Sequence, residues 1–261
     1  MLDITKTFDT SKPIIAMVHM QDCGDIERTK DAAIADSEKL IRGGVDGLLF
    51  ENWNLDGYVA KEPMIEIMRE VSKIANMPTG VNVLPFEYEI AFEVAKVSGA
   101  DFVQLDTFVD KLKTSYYGNN VIEIDPLKVM QARKDMGLKD VALVVNLQTK
   151  HYWTEPITKT LETSAMEAIR NGADALVVTG SITGAKTPKE KLYKVNAVCR
   201  DTPVFIGSGL DESNVEELLP LADGAIVGTS LKAGGITENQ VDSDRVRRLM
   251  SVVHQIRRQV V

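Results

Sequence analysis

The stretch "NGADALVVTG", residues 171–180, decides the fold, because it is one of four copies of a short phrase. The others are "GGVDGLLFE" at 43–51, "SGADFVQLD" at 98–106 and "LADGAIVGTS" at 221–230. In three of the four a glycine closes an amphipathic segment, where the left-handed conformation of a helix C-cap carries no Cβ penalty. An Asp then precedes a run of aliphatic and β-branched residues. The fourth copy has Leu-Ala in place of the glycine. The phrase reads as a joint that leads a helix into a strand.

Outward from each joint the pattern alternates. Ala33, Ser37, Leu40 and Ile41 share one helical face, as do Met64, Ile67, Met68, Val71 and Ile74, and again Leu161, Ala165, Ala168 and Ile169. Short apolar runs at 14–19, 46–51, 79–84, 101–106, 141–147, 174–179, 203–206 and 224–227 read as strands covered on both faces, as in parallel sheets. Helices fit between and after them at 29–43, 62–75, 86–98, 125–136, 158–171, 188–199, 211–220 and 242–259. Right-handed crossovers in unbroken succession close such a sheet into a (β/α)8 TIM barrel, with an open doubly wound sheet as the alternative. No Pro- or Gly-rich linker interrupts the alternation, so residues 1–261 read as a single α/β domain. The longest connections, near 20–28, 107–124 and 147–157, are of the length that often carries function.

Composition narrows the function. A net charge of −8 argues against a nucleic-acid surface, which needs clustered Lys and Arg. The densest basic pieces, "RVRR" and "IRRQ" near the C-terminus, read as a solvated helix face. Cys23 and Cys199 match neither a disulfide framework nor a metal spacing, which fits a reducing compartment. The first twenty residues lack a cationic leader, and no apolar run approaches the roughly twenty residues of a transmembrane segment. The expectation is a cytoplasmic protein, with a homo-oligomer left open.

In a barrel the residues facing the axis alternate along each strand, and active sites sit at the carboxyl ends. Polar residues stand near most of those ends: His19, Glu51, Asn82, Gln104 with Asp106, Asn146 and Thr179. Phe102, Gln104 and Asp106 share a face, as do Ala142, Val144 and Asn146. Buried polar groups without partners cost about 1–3 kcal/mol each, so a set converging on one mouth points to a ligand.

Two glycine turns sharpen that expectation. Gly207-Ser208-Gly209 ends the seventh strand and Gly228-Thr229-Ser230 the eighth. In many barrels these loops hold phosphate through backbone N–H groups and the start of a short extra helix. Ser208, Thr229 and Ser230 offer hydroxyl donors, and Lys232 a cation. A third glycine-rich turn, with Thr179, Gly180, Thr183 and Gly184, adds a wall but does not fit the nucleotide-binding P-loop spacing. After the fifth strand, adjacent Lys150 and His151 can both be aimed at the mouth by a loop. With Asp106 or Glu51 as carboxylate partner they suit proton transfer. His19, Glu51, Asp106 and His151 are of types that ligate Zn or Mn, yet none falls in a local ligand motif. No cofactor is predicted, and a divalent metal stays open.

"KPIIAMVHM", "GGVDGLLFENW", "TGVNVLPFE", "TKHY", "VVTGSITG", "VFIGSGLDESN" and "ADGAIVGTSLK", taken in order, resemble the BtpA/SgcQ family over nearly the whole chain. The resemblance implies a ribulose-phosphate-binding-type barrel, and a namesake linked to photosystem I biogenesis. The chain departs from the family pattern at Pro85-Phe86-Glu87, where members commonly read Arg-Asn-Asp, and at Asn146, where they often have Asp. The leading expectation is an enzyme acting on a small phosphorylated molecule, a sugar phosphate or nucleoside-like compound, as isomerase, lyase or glycosidic-bond hydrolase. Gly207, Ser208, Gly209, Gly228, Thr229 and Ser230 would hold the phosphate, and Asp106, Lys150, His151 and Glu51 would do the acid-base work. The competing expectations are a non-catalytic membrane-complex biogenesis or regulatory factor, and a metal-dependent hydrolase.

Overall fold

A computed structural model describes residues 2–113 and 121–259. The strands β1 (Ile14–His19), β2 (Gly47–Glu51), β3 (Thr79–Asn82), β4 (Phe102–Leu105), β5 (Ala142–Leu147), β6 (Ala175–Val178), β7 (Val204–Ile206) and β8 (Gly224–Val227) run parallel and close into a barrel. Each strand pairs with its neighbour in this order, and β8 pairs with β1. Around them lie α1 (Ile26–Arg42), α2 (Gly57–Ile74), α3 (Tyr88–Ser98), α4 (Pro126–Asp135), α5 (Leu161–Arg170), α6 (Lys189–Asn196), α7 (Val215–Leu218) and α8 (Ser243–Gln259). The fold is a TIM barrel.

The repeated phrase has a physical reason in each copy. Gly44, Gly99 and Gly172 adopt φ of 85°, 77° and 99° as the chain leaves its helix. The Asp that follows then clamps the base of the preceding strand. Asp46 accepts from the Ile14 N–H at 2.7 Å, Asp101 from Thr79 at 2.8 Å, Asp174 from Leu143 at 2.9 Å and Asp223 from Val204 at 2.8 Å. Each Asp amide donates back to the carbonyl of the same residue. The copy without glycine leaves its 3₁₀ turn, Leu219–Leu221, through an extended Ala222, so no left-handed residue is needed there.

Two apolar layers share the strands. Inside the barrel Ile15, Leu49, Phe102, Val144, Val177, Phe205 and Ile226 fill the axis, and Ile4 and Phe8 close the amino-terminal end. Gly80 is a glycine because any Cβ there would sit 2.1 Å from the Phe102 ring. The alternate residues, such as Ile14, Leu48, Val81, Val103 and Val145, face outward into the layer between sheet and helices.

Two expectations shift. The seventh helix, expected over 211–220, is α7 plus the 3₁₀ turn, because Asp211 and Asn214 bend the chain first. Asp211 Oδ1 accepts from the Ser213 amide at 2.8 Å and Asn214 Oδ1 from the Asp211 amide at 3.1 Å. The long connections after β4 and β5 carry structure of their own, an antiparallel sheet of Lys111–Lys113, Val121–Ile122 and Trp153–Glu155. Residues 114–120 of that expected connection lie outside the described residues.

Candidate functional site

The inward parity of each strand continues past the apolar layer to the carboxyl-terminal mouth. Ile15 and Met17 lead to His19, Leu49 to Glu51, Phe102 to Gln104 and Asp106, Val144 to Asn146, Phe205 to Gly207 and Ile226 to Gly228. All seven of these residues, from six strands, line one cavity of about 1070 Å³. The loops add Lys150, His151, Thr183 and Gly184 after β5 and β6, and Ser208, Gly209, Thr229 and Ser230 after β7 and β8. Asn82 stands just behind, donating to Glu51 Oε2 at 2.9 Å.

Glu51 and Asp106 form the acidic centre. The Glu51 carboxyl is lifted to about 7, first by burial and then by the Asp106 charge, with Lys150 and Asn82 pulling the other way. Burial also raises Asp106, against the Lys150 ammonium and the amides of Asn82 and Asn146. Burial and like charge thus both favour the protonated form of Glu51, while the Lys150 ammonium and two amides favour the charged form of Asp106. A polar chain orients Asp106: Gln104 Nε2 donates to Asn146 Oδ1 at 3.1 Å, and Asn146 Nδ2 donates to Asp106 Oδ1 at 2.8 Å. Asn146, in the place where a carboxylate would repel Asp106, thus serves as its donor.

The surroundings of the two histidines at the cavity both disfavour the charged ring. His19 is buried and pushed well below its usual range, first by burial and then by the Lys232 and Lys150 charges. Its Nε2 lies 3.8 Å from Glu51 Oε1, and its ring meets Trp53 edge-on at 5.0 Å. His151 is lowered by burial and by Lys150, against Asp106. Its Nε2 accepts from the Thr183 amide at 3.2 Å and lies 3.0 Å from Thr183 Oγ1, so the ring proton belongs on Nδ1. Asp110 fastens this loop to the one after β4: it accepts from the Gln148 amide at 2.8 Å and from Ser164 at 2.6 Å, and pairs with Lys159 at 2.9 Å.

The glycine turns sit where expected, with their hydroxyls otherwise engaged. Ser208 Oγ accepts from the Gly180 amide at 2.7 Å and donates to the Ala185 carbonyl at 3.0 Å. Ser230 Oγ donates to the Leu210 carbonyl at 2.6 Å, and Thr229 Oγ1 meets Thr237 Oγ1 at 2.8 Å. These hydroxyls shape the loops. The amides of Gly209, Thr229 and Ser230 remain without an acceptor among the described residues. Gly209, at φ 65°, is pressed so closely on Ala185 that a Cβ would lie 2.3 Å from its carbonyl. The short extra helix is one 3₁₀ turn, Thr229–Leu231.

Lys232 is not brought to the cavity. It is fully buried and pairs with Asp36 of α1 at 2.7 Å, because the extended residue that follows the 3₁₀ turn faces the helix layer. Thr179 and Gly180 also stand off the cavity lining, in the turn that Ser208 holds. The cation at the glycine turns is one the sequence reading missed. Arg245, in the first turn of α8, lines the cavity beside Gly235 and donates to the Ser230 carbonyl at 3.0 Å. The available signal was a basic residue at a helix N-terminus, where the macrodipole disfavours it. Trp53, Leu55, Leu84, Pro85 and Tyr152, equally unforeseen, also line the cavity, from the loops after β2, β3 and β5.

Three buried polar atoms near the strand ends, His19 Nδ1, Gln104 Oε1 and Thr179 Oγ1, have no hydrogen-bond partner among the described residues. Among the same residues, no group of three or more His, Cys, Asp and Glu is arranged to hold a metal ion. No helix there is long and apolar enough to cross a membrane.

A family model described as the BtpA family matches residues 10–255. The photosystem I biogenesis protein BtpA of Synechocystis is 29% identical, over 94% of this chain and 89% of that protein. An uncharacterized protein of Pyrococcus abyssi is 30% identical, over 95% of this chain and 98% of its own. Among solved structures, phosphoribosyl anthranilate isomerase from Thermus thermophilus superposes with a TM-score of 0.62 at 13% identity, covering 94% of this chain and 100% of that one. Tryptophan synthase from M. tuberculosis superposes with a TM-score of 0.63 at 13% identity, covering 98% and 97%. At these identities the likeness is one of fold.

Proposed function

We propose, on the premise that the chain belongs to the BtpA family, that it is an enzyme acting on a small phosphorylated metabolite by proton transfer at the mouth of the barrel. The observation that carries this reading is the division of one cavity into two chemistries. At the β7–β8 side, three amides without protein acceptors and the Arg245 guanidinium suit a phosphate. Toward the middle, a carboxyl that titrates near neutrality stands beside a second carboxyl and an ammonium.

The roles follow from the charges. Glu51, raised to about 7, is the proton donor; Asp106, oriented by Asn146, is the acceptor; Lys150 stabilises negative charge that develops between them. Such a pair serves isomerisation, elimination or cleavage at a glycosidic carbon in a sugar phosphate or nucleoside-like compound. Asn82 holds Glu51, and His151 locks the two loops that carry Lys150 and Thr183.

A thermal-shift panel of sugar phosphates and nucleotides, each paired with its dephosphorylated twin, tests the reading. A ligand at a hundred times its dissociation constant stabilises by about 2.7 kcal/mol. Phosphorylated members are expected to raise the melting temperature and their twins to do so far less. Equal shifts for every pair would count against the phosphate site.

A further inference from the structure

The cavity, at about 1070 Å³, is at the upper end of the roughly 300–1,000 Å³ typical of pockets that enclose drug-sized ligands. A sugar phosphate alone would leave much of it unfilled. Its two ends differ in kind. The amide and guanidinium end belongs to the loops after β7 and β8. Leu84 and Pro85 come from the loop after β3, which in a closed eight-stranded ring lies directly across from β7, while Trp53 and Leu55 come from the loop after β2, beside His19 at the end of β1.

These loops present fixed rings to the cavity. Trp53, half-buried at φ 35°, is held in the left-handed region that a large side chain rarely adopts, and its indole is braced edge-on against His19 at 5.0 Å. Tyr152 reaches the same cavity from the β5 loop and is braced against Phe86 at 5.5 Å. Leu55 and Leu84, both half-buried, supply the remaining apolar surface. Fixed aromatic groups lining the same cavity as amides without protein acceptors suit a flat aromatic group on the ligand.

The geometry points to a ligand with a phosphate at one end and a planar aromatic ring at the other, joined by a sugar-sized spacer over Glu51 and Asp106, of about the size of a nucleoside monophosphate. This inference rests on the phosphorylated-substrate reading and narrows its substrate class. It assigns Trp53 as a specificity-determining residue.

The test is calorimetric binding of ribose 5-phosphate, adenosine and uridine 5′-monophosphates and the matching free nucleosides to the full chain and to Trp53→Ala. At least one nucleoside monophosphate is expected to bind about tenfold or more tighter than ribose 5-phosphate, and Trp53→Ala to erase the difference while leaving ribose 5-phosphate unchanged. A second readout keeps Trp53 in place. The chain has two tryptophans, so in Trp153→Phe the indole fluorescence reports Trp53 alone, and the aromatic phosphate should quench it where ribose 5-phosphate does not. Ribose 5-phosphate and both nucleotides binding alike, with no selective quenching, would overturn this inference and leave the phosphate reading standing. Free nucleosides binding in a Trp53-dependent way with no gain from phosphate would support the aromatic subsite and sink the phosphate reading. No binding by any of these probes would overturn both.

Discussion

Arg245 donates from its guanidinium to the carbonyl oxygen of Ser230 at 3.0 Å, which ties the first turn of α8 to the loop after β8. One donor of the fork is spent on that tie, and the rest of the group lines the cavity next to Gly235. A cation so fixed, beside amides without acceptors, is the feature that separates an anion site from an ordinary pair of glycine turns.

Arg245→Ala should therefore weaken a phosphorylated ligand about ten- to a hundredfold, the worth of one charge-assisted contact. The dephosphorylated twin should bind as before. Arg245→Lys should restore part of the loss, because an ammonium supplies the charge without the planar fork. Titration calorimetry on the matched pair reads all of these.

Glu51 and His19 make opposite contributions to stability versus pH. The Glu51 carboxyl, raised from 4.5 to about 7, favours the folded state fully below 4.5 and loses that contribution as pH rises through 7. The His19 ring, held well below 6.5, contributes fully above 6.5 and loses its contribution as pH falls below that value. Over pH 4.5–6.5 the two slopes oppose, each limited to about 1.4 kcal/mol per pH unit. Glu51→Gln should make stability rise more steeply with pH than in the wild type over that window, and His19→Asn should make it fall. Urea denaturation at half-unit pH steps measures both slopes.

Asp174 binds three elements at once: it takes hydrogen bonds from the Leu2 amide, the Leu143 amide and the Arg133 guanidinium, with 1% of its surface exposed. Asp174→Ala leaves Arg133 charged in a buried place and should cost about 3–5 kcal/mol. Asp223→Ala, whose carboxylate clamps the Val204 amide but holds no arginine pair, should cost less. Thermal unfolding of the two variants side by side gives the comparison.

Lys232→Met leaves the Asp36 carboxylate with only the longer Lys39 pair at 3.7 Å and the Val241 amide, and should destabilise by somewhat less than Asp174→Ala. Adding Asp36→Asn should recover part of the loss, since the weakly compensated buried charge is then gone. Neither change should alter ligand affinity in protein that folds, because Lys232 stands off the cavity. Denaturation and binding measured on the same samples separate the two effects.

The barrel was legible because its joints are local. A helix must end where Gly44, Gly99 and Gly172 turn left-handed, and the apolar run after each Asp is long enough to name the strand. Inward parity was legible for the same reason: Phe102, Gln104 and Asp106 occupy alternate positions of one strand, and the barrel places them in the axis and then the mouth. The loops were not, since their side chains are aimed by contacts far away in sequence. Lys232 follows a glycine turn yet is drawn to Asp36, a partner 196 residues earlier. Arg245 was hidden in "RVRR", where a helix pattern cannot tell which arginine faces a strand end. The hydroxyls of Ser208, Thr229 and Ser230 could be placed near the turn, but not assigned to the carbonyls and the threonine that occupy them.

The account stands on an anion held by the loops after β7 and β8, and a crystal of the protein grown with a phosphorylated ligand at saturating concentration measures its position directly. The account predicts tetrahedral density within hydrogen-bond distance of the Gly209, Thr229 and Ser230 amides and of the Arg245 guanidinium. Density for the phosphate anywhere else on the molecule, with those amides satisfied by other protein groups, would contradict it.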